Sequence, residues 1–356
     1  MGLVSKVRKY LDDRLFNEAF RRARVHGKML HNLDSNSAVR RTIVAFRRER
    51  TVPEEHYLYR PELGRFVGGI TGRSGTTWLK KLMGETIGSS HAVIGEQGVF
   101  VLSMLREAPY EYLQFGGIQA GRERYLDYFE KVFTTWAYKR RRVYSEGLKG
   151  PMRYIPLRAV KGAMVQLRSD LSGVQDFESV HEAFGDFYQA LLNYHSAVIF
   201  GQRAPWVSKE PPYGRHADAL FRFCPDSRLV ILARDGREAA LSMLKRGWMD
   251  SLKGCMQRWA EFASMTLEAL DRAPSHKWRL VRYDDLVRNF EDELPTIYSH
   301  LELPVPDVSR ILGSNDKALV PRADSVGRWK NEIEAKDIDW FNSQFGQIME
   351  RLGYRE

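Results

Sequence analysis

The chain has 356 residues, of which 43% are hydrophobic and 28% charged, a composition that fits a globular protein and excludes a fibrous or disordered one. Its two cysteines, Cys224 and Cys255, belong to no CxxC pair or Cys/His cluster, so neither a disulfide framework nor a zinc site is predicted. The net charge of +10 is concentrated in residues 1–50, where Lys and Arg far outnumber Asp and Glu. No run approaches the roughly 18 consecutive apolar residues that predict a membrane span.

Residues 1–55 are predicted to form a basic helical extension ahead of a domain over 56–356. Such an extension can attract nucleic acid, anionic lipid or an acidic partner, or it can be a solvated helix face. Because no motif that reads RNA or DNA accompanies it, we expect no nucleic-acid partner and at most weak contact with a membrane surface. The N-terminus also lacks the apolar core of a signal peptide and the myristoylation pattern, which leads us to expect a cytoplasmic protein.

Strand and helix patterns alternate along the chain from about residue 65. Strands are predicted at 65–71, 91–96, 205–211 and 227–235, helices at 76–86, 179–199, 237–246 and 335–354, a strand running into a helix at 277–290, and a helical, aromatic-rich stretch at 110–144. The run SRLVILARD (227–235) is the clearest strand, and its near-continuous apolar residues indicate burial on both faces, as in a parallel sheet. The pattern predicts an α/β fold with a mainly parallel central sheet flanked by helices.

Polar side chains suited to chemistry follow these strands. They are residues 73–77, Glu96, Lys209, Arg234 and Tyr283. Because ligands of parallel sheets bind beyond the carboxyl ends of the strands, we expect these residues to share one edge of the sheet.

The stretch FVGGITGRSGTTWLKKLMGE (66–85) has the pattern of a phosphate-binding strand, loop and helix. Its glycines and hydroxyl residues would present backbone N–H groups at a helix N-terminus, where an anion is favoured, and Arg73 adds a positive charge. The alternative is an ordinary turn between strand and helix. Gly75 is followed directly by Thr76, so the Lys of the nucleoside-triphosphate version is missing, which counts against ATP hydrolysis.

Two later stretches also contain basic and hydroxyl side chains. In LVILARDGREAALSM (229–243) a strand ends at Arg234, and Ser242 follows eight residues later. The two could contact one phosphate, but the spacing alone favours a surface arginine and a serine that packs a helix. The stretch PRADSVGRWKNEI (321–333) reads as a mobile loop with Trp329 as an anchor, or simply as the loop before the last helix.

Together these stretches resemble the PAPS-dependent sulfotransferases, whose donor is 3′-phosphoadenosine 5′-phosphosulfate. The likeness spans roughly residues 66–353. It implies that the first loop binds the 5′-phosphosulfate, that the second motif binds the 3′-phosphate, that a tyrosine lies near the adenine, and that the late loop closes over the cofactor. The matching residues are, in that order, Arg73, Ser74, Gly75, Thr76, Thr77 and Trp78; Arg234 and Ser242; Tyr283; and Arg322, Trp329 and Lys330. Trp78 also offers a flat apolar surface to the adenine, with simple core packing as the alternative.

The sequence departs from the family pattern at two places. Ala323 and Asp324 replace a Lys and a Gly of the late loop, which leaves Arg322 as the candidate there for contact with the 3′-phosphate. Lys209 stands where the cytosolic small-molecule enzymes have a catalytic His, and in this the chain is similar to the carbohydrate and tyrosyl-protein sulfotransferases, in which a Glu serves as base.

The resemblance implies sulfuryl transfer from PAPS to a hydroxyl acceptor without a metal ion. Arg73 and Lys209 would stabilise charge on the leaving group. Glu96 is the first candidate for the base, followed by Glu210 and then His216. The acceptor is expected to be a small molecule, a glycan or a lipid, bound by a helical insertion over 110–200, and the oligomeric state is left open. The alternatives are a P-loop nucleotide kinase or NTPase, and a basic module that binds nucleic acid or membrane.

Overall fold

The structure, a computed structural model, describes residues 63–95, 100–114, 121–131, 133, 157–174, 176–200 and 204–354. The predicted N-terminal extension, Glu96 and most of the stretch 110–158 lie outside the described residues.

Five strands form one sheet. They are β1 (Gly64–Gly69), β2 (Ala92–Ile94), β3 (Trp206–Lys209), β4 (Ser227–Ala233) and β5 (Trp278–Arg282). Their order across the sheet is β2-β3-β1-β4-β5, and each neighbouring pair is parallel, with Val67 of β1 opposite both Lys209 of β3 and Val230 of β4. The predicted α/β fold with a parallel central sheet is confirmed.

Helices cover both faces of this sheet. They are α1 (Thr76–Ile87), α2 (Phe100–Gln114), α3 (Leu157–Asp170), α4 (Phe177–Phe200), α5 (Ala217–Phe223), α6 (Gly236–Leu244), α7 (Leu252–Asp271), α8 (Tyr283–Arg288), α9 (Phe290–His300), α10 (Val308–Leu312), α11 (Trp329–Glu332) and α12 (Ala335–Arg351). Residues 121–131 are also helical, and short 3₁₀ turns occur at Pro211–His216, Ser275–Lys277 and Ala323–Ser325.

The alternation of side chains along each strand divides the core in two. Phe66 and Ile231 pack on one face of the sheet with residues from α2, α4, α7 and α12. Their chain neighbours Val67 and Val230 pack on the other face with residues from α1 and α9. Because successive side chains point to opposite faces, a strand covered on both sides must be apolar throughout, which explains the unbroken apolar run of β4.

The structure differs from the predicted elements mainly in helices that the patterns did not single out. Helix α7 is 20 residues long, and it buries Cys255, Trp259 and Ala263 in the core at helical spacing. Two strands also end earlier than predicted. Strand β1 ends at Gly69 because the chain turns from Ile70 onwards, and β2 has only three residues. No helix within the described residues is long and apolar enough to cross a membrane.

Candidate functional site

The loop between β1 and α1 (residues 70–75, the β1–α1 loop) is a compact turn held by its own side chains. The backbone N–H of Thr71 donates to Ser74 Oγ at 3.0 Å, and the N–H of Ser74 donates to the Thr71 carbonyl at 3.3 Å. The N–H of Arg73 donates to Thr71 Oγ1 at 3.2 Å. Gly75 ends the loop with a φ of 95°, a left-handed conformation that favours glycine. The next residues begin α1, whose first N–H groups have no partner within the helix.

Two aromatic rings from distant parts of the sequence stand beside this loop. The ring of Tyr283, which opens α8 after β5, packs so closely on Gly75 that a Cβ there would lie 2.5 Å from it. Trp78 meets Tyr283 edge to face, with 6.1 Å between ring centroids, and its Nε1 donates to the Leu319 carbonyl at 3.2 Å. The structure thus brings together the two residues that the sequence places near an adenine.

The two predicted phosphate motifs meet at the carboxyl ends of β1 and β4. Arg73 Nε donates to Ser242 Oγ at 3.0 Å, and the guanidinium of Arg234 donates to the Arg73 carbonyl at 3.3 Å. Arg234 also lies over the ring of Tyr283, 4.8 Å from its centroid. Burial, followed by the charges of Arg246 and Arg234, lowers the pKa of Arg73. This part of the site therefore carries concentrated positive charge, which favours an anion.

Lys209 approaches the same loop from the other side. It is the last residue of β3 and is only 2% exposed, and its Nζ donates to Thr77 Oγ1 at 3.3 Å. Because β3 and β4 flank β1, the loop lies between a lysine from one neighbouring strand and Arg234 from the other.

A buried carboxylate that was not predicted from the sequence links residues 321–333, the late loop, to the arginines beside the β1–α1 loop. Glu238 in α6 is fully buried and accepts hydrogen bonds from Arg328 Nε at 2.8 Å and from the N–H of Trp329 at 3.3 Å. It also pairs with Arg234 at 3.6 Å. Ser325 completes the connection, because its carbonyl accepts from Arg234 at 2.6 Å and its hydroxyl lies 3.0 Å from that of Tyr283. The signal that could have revealed it is an acidic residue in the first turn of the helix that follows β4, four residues after Arg234.

The late stretch therefore differs from the predicted loop. It contains a 3₁₀ turn at Ala323–Ser325 and the helix α11, and Arg328 anchors it together with Trp329. Arg322 points its guanidinium to Asp324, at 2.6 Å, and both side chains are largely exposed. Lys330 is exposed too, 5.6 Å from the centroid of the Trp329 ring, whose face is covered by Arg237 at 3.6 Å.

The three candidate bases have different surroundings. Glu96 lies outside the described residues. Glu210 follows Lys209 and is buried. His216 is buried as well, and burial, together with the charges of Arg215 and Arg106, lowers its pKa to about 4. An imidazole with that pKa is neutral at pH 7 but is a weak base, poorly matched to proton transfer near neutrality.

Unpaired buried groups test whether a bisphosphate fits this site. Within the described residues, Arg234 Nε and Thr76 Oγ1 are buried without a hydrogen-bond partner. Leaving such a group unpaired costs about 1–3 kcal/mol, so both groups favour a ligand that accepts hydrogen bonds. Positive side chains, hydroxyl groups and helix N–H groups are the donors that phosphate prefers, and the residues present therefore fit it. No cluster of three or more His, Cys, Asp or Glu side chains suited to a metal ion is found among the described residues.

Comparison with known proteins decides the family. Residues 66–307, well over half of the chain, match the model of the sulfotransferase family. The chain belongs to this family. Its members generally use PAPS as the sulfate donor.

Curated relatives are distant. Protein-tyrosine sulfotransferase 1 of Danio rerio is 23% identical over 53% of this chain and 58% of its own length. Protein-tyrosine sulfotransferase A of Caenorhabditis elegans is 22% identical over 50% of this chain and 51% of its own length. The chain thus spans only about half the length of the curated relatives that it matches.

Solved structures of sulfotransferases are similar to this chain at low identity. The sulfotransferase domain of the Synechococcus PCC 7002 olefin synthase is 14% identical, with a TM-score of 0.49 over 84% of this chain and 98% of that one. The sulfotransferase domain of the curacin biosynthetic pathway is 17% identical, with a TM-score of 0.47 over 83% of this chain and 99% of that one.

The relatives also correct one expectation. The prediction of a cytoplasmic protein is wrong, because the protein-tyrosine sulfotransferases that this chain matches are Golgi membrane enzymes. That prediction depended on the absence of a signal-peptide pattern and of a myristoylation pattern, and the absence of a pattern carries no information on location.

The first prediction concerns the glycine of the β1–α1 loop. We expect Gly75→Ala to lower the free energy of unfolding by more than about 2 kcal/mol, because the left-handed backbone is strained with a side chain and the new Cβ would collide with Tyr283. Urea unfolding measures this effect. The control is Gly84→Ala in α1, where nothing lies within 4 Å of the new Cβ and where alanine should stabilise the helix by up to about 1 kcal/mol. Equal effects of the two substitutions would contradict the packing of Tyr283 on the loop.

The second prediction concerns the buried carboxylate. Glu238→Gln keeps the size of the side chain but removes the counter-charge of Arg328 and Arg234, and we expect a loss of about 1.5–3 kcal/mol in the free energy of unfolding. Hydrogen exchange should also become faster over residues 322–331. The control is Glu332→Gln, which breaks the exposed pair of Glu332 with Lys245 and should cost less than about 1 kcal/mol. If exchange over 322–331 is unchanged in Glu238→Gln, this carboxylate does not hold the late loop.

Proposed function

We propose that this protein transfers the sulfuryl group of PAPS to a hydroxyl acceptor and releases the bisphosphate PAP. The observation that carries the proposal is the meeting of Arg73, Ser242 and Arg234 at the carboxyl ends of two neighbouring strands, with Lys209 on the far side of the same loop. Membership of the sulfotransferase family supports it.

The two ends of the site would hold different parts of the donor. Arg234 and Ser242 would bind the 3′-phosphate, with the unpaired Nε of Arg234 available for it. The β1–α1 loop and the hydroxyl groups of Thr76 and Thr77 would bind the 5′ end, and Trp78 and Tyr283 would flank the base. Arg322, Trp329 and Lys330 belong to the stretch that would close over it.

Stabilisation of negative charge is the chemical task of these residues. PAPS, when bound, supplies a sulfuryl group on a phosphate leaving group, and negative charge develops on that phosphate as the group departs. Arg73 is held by its hydrogen bond to Ser242, and Lys209 is held by burial and by its hydrogen bond to Thr77, so both can stabilise this charge without reorganising. We propose that this step takes place without a metal ion.

A base must accept the proton of the acceptor hydroxyl. We propose Glu96 for this role, because it ends the second strand predicted from the sequence, and Glu210 as the next candidate because it is buried beside Lys209. His216 is the least suited of the three, because its pKa of about 4 makes it a weak base at neutral pH.

The proposal also covers the chemical class of the acceptor. A small molecule, a glycan and a lipid each offer a hydroxyl group, and the names of the relatives add tyrosine in proteins as a fourth class. We further propose that residues 56–356 form the transferase domain. A screen of these four acceptor classes with labelled PAPS tests the activity directly, and transfer to none of them would contradict it. A nucleotide kinase or NTPase is disfavoured by the family and by the missing lysine before Thr76.

The third prediction concerns the 3′-phosphate. PAP should raise the melting temperature without Mg²⁺, because a ligand that binds the native state stabilises it, and AMP should do so much less because it lacks the 3′-phosphate. Arg234→Ala should weaken PAP binding on the order of 10- to 100-fold, the loss expected for a charge-assisted phosphate contact. Isothermal titration calorimetry measures the affinity.

A matched control for this substitution lies on the same strand. Arg228→Ala removes a guanidinium near the amino end of β4, where it pairs with Glu302, and should leave PAP affinity unchanged. If AMP and PAP shift the melting temperature equally, or if both substitutions have the same effect, Arg234 does not bind the 3′-phosphate.

The fourth prediction separates the base from the residue that stabilises charge. Glu96→Gln should slow sulfuryl transfer by roughly 10²–10⁴-fold, the usual effect of losing a general base, while PAP affinity stays near that of the wild type. Lys209→Ala should also slow transfer. It should weaken the binding of PAPS more than the binding of PAP, because the lysine would contact the sulfate end of the donor. Single-turnover transfer and direct PAP binding are the two measurements. Transfer at the wild-type rate by Glu96→Gln would exclude Glu96 and leave Glu210→Gln as the next test.

A further inference from the structure

Helix α12 ends in a cap that fixes the position of a tyrosine. Gly353 has a φ of 78° and donates its N–H to the Glu350 carbonyl at 2.8 Å, and the N–H of Tyr354 donates to the Met349 carbonyl at 2.9 Å. These two bonds form the Schellman motif, in which a left-handed glycine terminates a helix. The carbonyl of Gly353 also accepts a hydrogen bond from the guanidinium of Arg282, the last residue of β5. The backbone therefore fixes the point from which the side chain of Tyr354 extends.

The hydroxyl group of Tyr354 joins the ends of two neighbouring strands. The side chain is buried, and its hydroxyl donates to the Ala233 carbonyl at 3.0 Å and to Asp284 Oδ2 at 2.8 Å. Ala233 is the last residue of β4, and Asp284 is the second residue of α8, which begins directly after β5. One hydroxyl group thus bridges the points at which both strands pass into the candidate site.

Each of these two anchor points is the chain neighbour of a residue of the candidate site. Ala233 precedes Arg234, and Asp284 follows Tyr283. The guanidinium of Arg234 lies 4.8 Å from the centroid of the Tyr283 ring, and its buried Nε has no hydrogen-bond partner within the described residues. Because the hydroxyl of Tyr354 links the neighbours of both residues, it limits how far the guanidinium can shift over the ring.

We propose that Tyr354 is a positioning residue, which holds Arg234 over Tyr283 in the orientation that a 3′-phosphate requires. This inference rests on the proposed function. A guanidinium binds a phosphate through parallel N–H bonds of fixed geometry, so a small displacement of Arg234 weakens the contact. Tyr354 acts on the ligand through Arg234, and its effect should therefore depend on the 3′-phosphate.

The experiment compares PAP with AMP, which lacks the 3′-phosphate, by isothermal titration calorimetry. Tyr354→Phe keeps the buried ring and removes only the hydroxyl group. We expect it to weaken PAP binding about 2- to 10-fold, the scale of one lost hydrogen bond, and to leave AMP affinity unchanged. In the Arg234→Ala protein, Tyr354→Phe should cause no further loss of PAP affinity, because the two residues act as one unit.

A matched control removes another buried tyrosine hydroxyl. Tyr298 in α9 is fully buried, and its hydroxyl lies 2.6 Å from Thr86 Oγ1. Tyr298→Phe should lower the melting temperature, as Tyr354→Phe should, but it should leave PAP affinity unchanged. The pair thus separates the positioning of Arg234 from a general loss of stability.

A second variant tests the same cap without touching the buried ring. Arg282→Ala removes a partly exposed side chain that bonds the Gly353 carbonyl, so it loosens the cap from which Tyr354 extends. It should weaken PAP binding more than AMP binding, and it carries the test if Tyr354→Phe does not fold.

Several results would overturn the inference. Tyr354→Phe contradicts it by binding PAP as tightly as the wild type, by weakening PAP and AMP by the same factor, or by keeping its full effect in the Arg234→Ala protein. An equal loss of PAP affinity in Tyr298→Phe would also overturn it, because general loosening would then explain the effect. Failure of the wild type to bind PAP would instead refute the proposed function, and this inference with it.

Discussion

A single buried carboxylate among several guanidinium groups holds the site together. Arg73 and Arg234 converge on one edge of the sheet, and Arg328 joins them from a stretch about ninety residues further along the chain. Like charges at this proximity repel each other, and the lowered pKa of Arg73 reflects both its burial and this repulsion. Glu238 offsets the repulsion from within the helix that follows β4. The remaining positive charge is left for a ligand, which is how the same cluster can be stable alone and still attract an anion.

The β1–α1 loop lies between two aromatic rings, and glycine makes both contacts feasible. Gly72 faces Trp248 and Gly75 faces Tyr283, and a Cβ at either position would come within 3 Å of the ring. The loop is therefore positioned from both sides by side chains that come from other elements. Rigid placement matters here, because charge stabilisation works only when the donors already point to where charge develops. Tyr283 and Trp248 thus act on the loop whether or not either ring contacts a ligand.

Two departures from the family pattern have a visible structural consequence. Asp324 stands where the family has a glycine, and it pairs with Arg322, the residue that the resemblance assigned to the 3′-phosphate. A guanidinium already bound to a carboxylate is less available to a phosphate. Lys209 stands where some members of the family have a histidine, and its ammonium group is buried against Thr77. A lysine at this point can stabilise charge on a leaving group, and the base that we propose is a different residue, Glu96 or Glu210.

Much of this protein could be predicted from its sequence because the deciding signals are local. An unbroken apolar strand indicated cover on both faces, and alternating strands and helices predicted a parallel sheet. Together these signals placed Arg73, Lys209, Arg234 and Tyr283 at one edge, whereas anion binding by the glycine-containing turn stays a prediction. Glu238, Trp248 and Ser325 could not be found in this way. In sequence they are a helical glutamate, a tryptophan after a helix and a serine in a loop, and each gains its role from partners distant in the chain. Only the tertiary structure decided those partners, because the parallel order β3-β1-β4 and the packing of the late stretch on α6 determine which side chains share a buried space.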